Sequence, residues 1–160
     1  MTVRTGLGVD THRFAEGRRL VLGGVEIPFE RGLAGHSDAD VLAHAIADAV
    51  LGAAGLGDIG EHFPDSDPAW RDADSLELLC AVVERAREAG WAVVHVDATV
   101  MIERPKLAPH RAAIVARLGA VVGSVSVKAT TGEGMGFVGR EEGVAALAVA
   151  TLVRREPPAD

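Results

Sequence analysis

The segment from Gly35 to Asp67 constrains this chain most, because it combines a helical apolar pattern with an acidic, histidine-bearing surface. Its apolar residues recur at helical spacing, at Leu42, Ile46, Ala49, Val50 and Ala53. This period predicts an amphipathic helix from about Asp38 to Ala54, with Ser37 or Asp38 as the N-cap. The buried face would exclude three polar residues spaced four apart, which are Asp40, His44 and Asp48.

The charged residues of this segment are all acidic, apart from its histidines. Between Gly32 and Trp70 there is no lysine or arginine, although the stretch holds seven carboxylates and three histidines. An exposed helix face usually mixes both signs, because opposite charges one turn apart stabilise the helix. Two interpretations therefore stay open, an ordinary solvated face and a cation-binding site. One helix supplies too few ligands for a metal ion, so other segments have to contribute.

A second group of candidate ligands follows the first predicted strand, Val3 to Asp10. Asp10 and His12 are two residues apart, so in an extended backbone their side chains point the same way. The Asp-x-His pattern by itself is a common accident. With His44 it gives one carboxylate and two imidazoles, which suit zinc with a fourth tetrahedral position left open.

Composition limits the classes of protein that fit. With 160 residues, 48% of them hydrophobic, the chain is long enough for one domain with a single core. A net charge of -7 argues against non-specific binding to nucleic acid or to an anionic membrane surface. We find no signal peptide and no apolar run that could span a bilayer, so a cytoplasmic protein is expected. Residues 1–156 are predicted to form the domain, and residues 157–160 a frayed end.

The single cysteine excludes an internal disulfide bond. Cys80 shares a face of a predicted helix, Asp72 to Gly90, with Leu76, Leu79 and Val83, so we expect a buried structural thiol. The other predicted elements are strands within Arg18–Ile27 around Gly23-Gly24, a strand from Trp91 to Ile102, a helix from Arg111 to Leu118 and a strand from Val125 to Thr130. The pattern of Glu142 to Arg154 fits either a helix or a buried strand.

Two glycine-rich stretches carry polar groups without an evident packing role. Residues 55–68 form either a ligand-facing loop or a mobile connection. Residues 131–140 contain four glycines close to Lys128, Thr130 and Thr131. Their backbone N–H groups and hydroxyls are of the kind that hold phosphate, although the pattern is not a Walker motif.

Five runs of sequence resemble one known family and stand in that family's order: GVDTHRF, GHSDADVLAHAIADAVLGAA, GLGDIGEHFPDSDP, VDATVMIERPKLAPH and VKATTGEGMGFVGREEG. They cover most of the chain, and together they are highly specific. The family is that of the 2-C-methyl-D-erythritol 2,4-cyclodiphosphate synthases of non-mevalonate isoprenoid biosynthesis. The resemblance implies a two-layer α/β (α+β) sandwich, with a mixed β-sheet packed against helices, assembled as a homotrimer with shared active sites. It also implies that the last segment is a strand.

The activity that the resemblance implies is that of a metal-dependent phosphorus-oxygen lyase. It would cyclise 4-diphosphocytidyl-2-C-methyl-D-erythritol 2-phosphate to 2-C-methyl-D-erythritol 2,4-cyclodiphosphate with release of CMP. Zinc would bind Asp10, His12 and His44, and magnesium or manganese would bind Glu133. The implied catalytic residues are His36, Thr131 and Glu133. The implied substrate-binding residues are Ser37, Asp58, Gly60, Phe63, Asp65, Lys106, Leu107, Ala129, Thr130 and Thr131.

By the same resemblance, Asp40 and Asp48 would orient ligands, and Gly132 stands where some members carry threonine. Two other functions remain alternatives. A zinc phosphohydrolase would hold hydroxide at the open zinc position. A binding or assembly protein would use the zinc only to tie strand to helix, and would then supply a fourth ligand from the chain.

Overall fold

The computed structural model describes residues 1–155, and the expectation of a frayed end at residues 157–160 lies outside them. Seven strands and five α-helices occur in this range. The strands are β1 (Val3–Ala15), β2 (Leu20–Leu22), β3 (Val25–Ile27), β4 (Gly32–Leu33), β5 (Trp91–Met101), β6 (Val125–Thr130) and β7 (Gly143–Arg154). The helices are α1 (Val41–Ala54), α2 (Ile59–His62), α3 (Ser75–Glu88), α4 (Arg111–Val122) and α5 (Gly136–Gly139).

The main sheet is mixed and has five strands in the order β4-β1-β7-β5-β6. β5 and β6 are parallel, whereas β7 is antiparallel to both of its neighbours. The ambiguous segment after Glu142 is therefore a strand, and its apolar content on both faces fits its central place in the sheet. The hairpin of β2 and β3 pairs separately. The predicted mixed sheet packed against helices is confirmed.

Close contact between α1 and the sheet depends on two glycines of β1. A Cβ added at Gly8 would lie 1.8 Å from the carbonyl oxygen of Ala45, and one at Gly6 would lie 2.1 Å from that of Ala49. Side chains alternate along a strand, so the face of β1 that carries these glycines also carries Asp10 and His12. The sequence thus directs both candidate ligands toward α1.

The other face of the sheet is left open within the described chain. Leu7 is 64% exposed and Val9 is 53% exposed. Val149, directly opposite Leu7 in the register of β1 and β7, is 43% exposed. The protein therefore has two layers, with its helices on one side and an apolar patch on the other.

The start of α1 differs from the prediction. The N-cap is Asp40, whose side chain accepts a hydrogen bond from the Ala43 N–H at 3.0 Å. Asp40 also accepts from the N–H groups of Gly23 (2.9 Å) and Gly24 (2.7 Å). Its placement on an exposed polar face was wrong, because the β2–β3 turn covers this helix end and leaves Asp40 0% exposed.

The expectation for Cys80 was also wrong, because its thiol is exposed. Helix α3 buries Leu76 and Leu79 as predicted, and with them Leu78, Val82 and Ala86. The centre of the buried stripe is thus shifted away from Cys80. No helix within residues 1–155 is long and apolar enough to cross a membrane.

Candidate functional site

Asp10, His12 and His44 converge on one point, as predicted. One ligand atom from each side chain lies within 4.8 Å of the others. Oδ2 of Asp10 is 2.9 Å from Nε2 of His12 and 3.2 Å from Nδ1 of His44. Strand β1 supplies the first two residues and α1 supplies the third, so the close packing of these two elements creates the cluster.

The outer nitrogen of each imidazole has a defined partner. Nδ1 of His12 lies 2.7 Å from the carbonyl oxygen of Ala34, so it must donate. Nε2 of His44 lies 2.8 Å from Oγ of Ser75. The Ser75 hydroxyl donates to the carboxylate of Asp38, and hence Nε2 of His44 donates to Ser75. These partners fix both tautomers and leave a lone pair on each inner nitrogen.

Three electron-pair donors thus face one point, an arrangement that a cation stabilises. Burial raises the pKa of Asp10, but when protons on the inner nitrogens take the place of an ion, hydrogen bonds and positive charge from His12 and His44 outweigh burial and lower that pKa to about 2. The carboxylate is therefore ionised at neutral pH. One carboxylate and two imidazoles are ligands suited to zinc, so the residues present fit this ion.

A cavity of about 390 Å³ adjoins the cluster. Five residues implied by the family resemblance line it: His36, Ser37, Gly60, Phe63 and Asp65. Five others in its wall were missed by the sequence reasoning: Gly35, Ile59, Pro64, Trp70 and Leu78. Residues 55–68 are therefore a cavity-facing segment rather than a detached connection.

His36 has a property that suits a ligand-binding residue. Its Nε2 is buried and has no hydrogen-bond partner within residues 1–155. Since buried polar atoms are normally paired, a group bound in the cavity is a natural partner for it. Asp58, by contrast, does not line this cavity and accepts a hydrogen bond from the Glu61 N–H at 3.0 Å as the N-cap of α2.

Neither Asp40 nor Asp48 hydrogen-bonds to the three clustered side chains. Asp48 accepts from the N–H of Ile59 at 2.8 Å and so fixes α2 against α1. Burial raises the pKa of Asp48 above its usual value. The groups that contact the outer nitrogen of His44 are instead Ser75 and, at 3.3 Å, Ser37. Ser75 was missed because it lies far along the sequence from His44.

A second cavity, of about 180 Å³, shares no lining residue with the first. Its wall contains Lys106, Leu107, Ala129, Thr130 and Thr131, all of which the resemblance implies. These residues meet because β5 and β6 are parallel, so the segments that follow them leave the sheet at the same edge. Arg111 also lines this cavity and was not anticipated.

The glycine-rich loop differs from the expectation of free backbone donors. The N–H groups of Gly132 and Gly134 donate to the carboxylate of Glu103, at 2.8 and 3.1 Å. The N–H of Glu133 donates to Oγ1 of Thr131 at 3.1 Å. Glu103 therefore shapes the loop, which leaves the Glu133 side chain exposed at a positive φ of 51°.

The model of the YgbB family matches residues 3–153, which is nearly the whole chain. The chain belongs to the YgbB family.

Relatives of this YgbB protein align with most of its length. It is 62% identical over 154 residues to the 2-C-methyl-D-erythritol 2,4-cyclodiphosphate synthase of Salinibacter ruber, an alignment covering 94% of this chain and 98% of the relative. It is also 62% identical to the bifunctional enzyme IspD/IspF of Anaeromyxobacter dehalogenans, covering 95% of this chain but 40% of that longer relative.

Solved structures of related proteins share the fold of this YgbB protein. The bifunctional IspDF of Campylobacter jejuni superposes with a TM-score of 0.93 at 43% identity, over 97% of this chain and 43% of the other. A 2-C-methyl-D-erythritol 2,4-cyclodiphosphate synthase in a CDP-bound form gives a TM-score of 0.86 at 38% identity, over 94% of this chain and 100% of the other.

Proposed function

We propose that this chain is a 2-C-methyl-D-erythritol 2,4-cyclodiphosphate synthase, which cyclises 4-diphosphocytidyl-2-C-methyl-D-erythritol 2-phosphate and releases CMP. The observation that carries the proposal is the 62% identity to a synthase of that name over 94% of one chain and 98% of the other. The convergence of Asp10, His12 and His44 supports it, because the reaction develops charge on phosphate oxygens.

The reaction is an intramolecular phosphoryl transfer. An oxygen of the 2-phosphate attacks the β-phosphorus, and the bond from that phosphorus to the α-phosphate oxygen breaks, so CMP leaves with the bonding electrons. The attacking oxygen is already ionised near neutral pH, so no strong general base is required. Catalysis therefore depends mainly on positioning and on charge neutralisation.

Zinc held by Asp10, His12 and His44 would supply Lewis-acid polarisation of the β-phosphate. We assign His36 and Ser37 to the attacking phosphate, because both line the cavity beside the cluster and Nε2 of His36 has no other partner in the described chain. Phe63 and Asp65 would border the methylerythritol carbons, and Gly60 with Asp58 the ribose.

The cytidine would occupy the 180 Å³ cavity. Lys106 and Leu107 stand on one side of it, and the run from Ala129 to Thr131 on the other. Lys106 brings a positive charge to a protein with a net charge of -7. Thr131 and Glu133 would contact the phosphates at its mouth, with Glu133 as a ligand for magnesium or manganese.

We further propose a homotrimer in which neighbouring subunits share each active site. Support comes from the open sheet face, where Leu7, Val9 and Val149 form an apolar patch that a monomer would leave in water. The two cavities share no lining residue, which fits active sites in which one subunit supplies the first cavity and its neighbour supplies the second. The pairing of residues 3–13 of β1 with residues 143–153 of β7 joins the two ends of the described chain and supports the prediction of a single domain. A cytoplasmic location stays a prediction.

Product analysis tests the function. The purified protein with zinc and magnesium should convert the substrate into CMP and the cyclic diphosphate without consuming water. A zinc phosphohydrolase would incorporate oxygen from ¹⁸O-labelled water into a linear product, and that result would reject the cyclase. A structural zinc would be saturated by protein donors, whereas three His or Asp side chains gather here within residues 1–155.

A further inference from the structure

One wall of the 390 Å³ cavity comes from a segment with little structure of its own. Ile59, Gly60, Phe63, Pro64 and Asp65 all line the cavity. They belong to the four-residue helix α2 and the turns after it. So short a helix is not stable by its own hydrogen bonds, so contacts from elsewhere have to hold this wall in place.

His62, at the end of α2, is held on both sides of its ring. Its Nε2 lies 2.7 Å from the carbonyl oxygen of Leu56, and its Nδ1 lies 2.5 Å from Nη1 of Arg85. A guanidinium can only donate, so Nδ1 accepts from Arg85 and Nε2 donates to Leu56. The imidazole thus joins helix α3 to both ends of the α2 segment.

The same guanidinium also contacts the next residue of the wall. Its central carbon lies 4.7 Å from the centre of the Phe63 ring, within cation–π range. Phe63 is 5% exposed and packs edge-on against Trp70, with 4.8 Å between ring centres. One side chain of α3 therefore fixes His62, Phe63 and, through Phe63, Trp70.

Arg85 has no carboxylate at ion-pair distance within residues 1–155, whereas Arg87, two residues further along α3, pairs with Glu84. The charge of Arg85 is therefore directed to the imidazole and the aromatic face. Leu78 lies seven residues earlier on the same helix face and lines the cavity directly. This face of α3 thus supports the cavity wall along two turns.

We propose that Arg85 is a positioning residue, which holds the His62-Phe63 wall in the shape that binds the substrate. The expected effect on KM rests on the proposed function, whereas the expected effect on the rigidity of the cavity wall does not. Loss of Arg85 should raise KM and leave kcat nearly unchanged, because the clustered Asp10, His12 and His44 side chains do not contact it.

The structural arm of the test needs no substrate. The chain has two tryptophans and no tyrosine, so Trp91→Phe leaves Trp70 as the only strong fluorophore. In that background, Arg85→Met should raise the acrylamide quenching constant of Trp70 about twofold as the wall loosens. Arg87→Met, two residues away and exposed, is the matched control and should leave quenching unchanged.

The kinetic arm uses the full protein with its metals. Arg85→Met should raise KM about tenfold, the scale expected for one half-buried cation–π contact and one charged hydrogen bond. His62→Leu should give a similar rise, and His62→Gln, whose amide can both accept and donate, should restore most of the affinity. These His62 variants keep the test decisive if Arg85→Met does not fold.

The two arms separate the possible failures. If the Arg85 and Arg87 variants show equal quenching and equal KM, the inference is overturned, but the proposed cyclase activity is not affected. A fall in kcat together with zinc loss would also overturn it, since Arg85 would then act on the metal cluster. Changed quenching in a protein that releases no CMP would reject the proposed function and leave the structural role of Arg85 standing.

Discussion

His12 and His44 turn opposite ring nitrogens toward the same oxygen of Asp10. Nε2 of His12 is 2.9 Å from Oδ2, and Nδ1 of His44 is 3.2 Å from it. Which nitrogen of each ring faces Asp10 follows from the partner of the other nitrogen. That partner is a backbone carbonyl for His12 and the Ser75 hydroxyl for His44. The tautomers are thus decided by groups that would not touch the ion, and this arrangement leads to the first two predictions.

Removal of one ligand should abolish metal binding without unfolding the protein. His44→Ala should lose its stoichiometric zinc and its activity together, because a carboxylate and a single imidazole hold zinc weakly. Metal analysis and circular dichroism on one preparation measure both. His95→Ala, which alters a half-exposed histidine of β5 that bonds Ser124, is the control. A His44→Ala variant with full zinc content would refute the ligand assignment.

The contact between Ser75 and His44 should influence metal affinity. Ser75→Ala leaves Nε2 of His44 with only the more distant Ser37 hydroxyl as an acceptor, and we expect zinc to bind about 10-fold more weakly. Competition with a chromophoric chelator gives the affinity independently of turnover. Ser126→Ala removes a hydroxyl that bonds Asp97 on the surface and should have no effect. Equal affinities for both variants would show that Ser75 has no role in the metal site.

A second ion should depend on Glu133 alone within its loop, because this is the only carboxylate from Val125 to Arg140. Glu133→Gln keeps the side-chain shape but removes the charge that a hard ion requires. We expect retained zinc, weak binding of CMP and a collapse of turnover. Turnover across a magnesium titration is the measurement. Near wild-type turnover with unchanged magnesium dependence would require withdrawal of the two-metal mechanism.

Nucleotide affinity should depend on Lys106 and not on the other lysine of the chain. Lys106 lines the 180 Å³ cavity, whereas Lys128 pairs with Asp97 on the surface of the sheet. Lys106→Ala should weaken CMP binding in titration calorimetry, because a cation beside an anionic ligand is lost. Lys128→Ala should bind as the parent does. Equal affinity for all three proteins would place the nucleotide elsewhere.

Two glycine substitutions should have opposite effects on stability. Gly8→Ala places a methyl group 1.8 Å from the Ala45 carbonyl oxygen, and we expect a loss of about 3 kcal/mol or complete failure to fold. Gly52→Ala lies in the last turn of α1, where an added Cβ would meet no atom within 4 Å, and should stabilise the protein by about 0.5 kcal/mol. Urea denaturation measures both. A stable Gly8→Ala protein would contradict the close packing of β1 and α1.

Part of the metal cluster could be predicted from sequence, because two relations within it are local, whereas the approach of His44 to Asp10 depends on the packing of α1 against β1. Alternation along β1 sets Asp10 beside His12, and the helical period of α1 gives His44 a polar face. The same reasoning failed for Asp40, which has the same period as His44 but is covered by the turn at Gly23 and Gly24. Periodicity describes one element, and it carries no information about what another element places against it.

The sequence by itself determined most of the long helices and strands and the Asp-x-His pair. Through its resemblance to a known family it also indicated the last strand and the residues expected around the two cavities. Tertiary structure alone decided which groups support them. Ser75 is 31 residues from His44, Arg85 is 23 from His62, and Glu103 is 29 from Gly132. The periodicity of a single helix or strand cannot relate residues so far apart. Their contacts form only when the helices and strands pack together, and that packing depends on side chains throughout the chain.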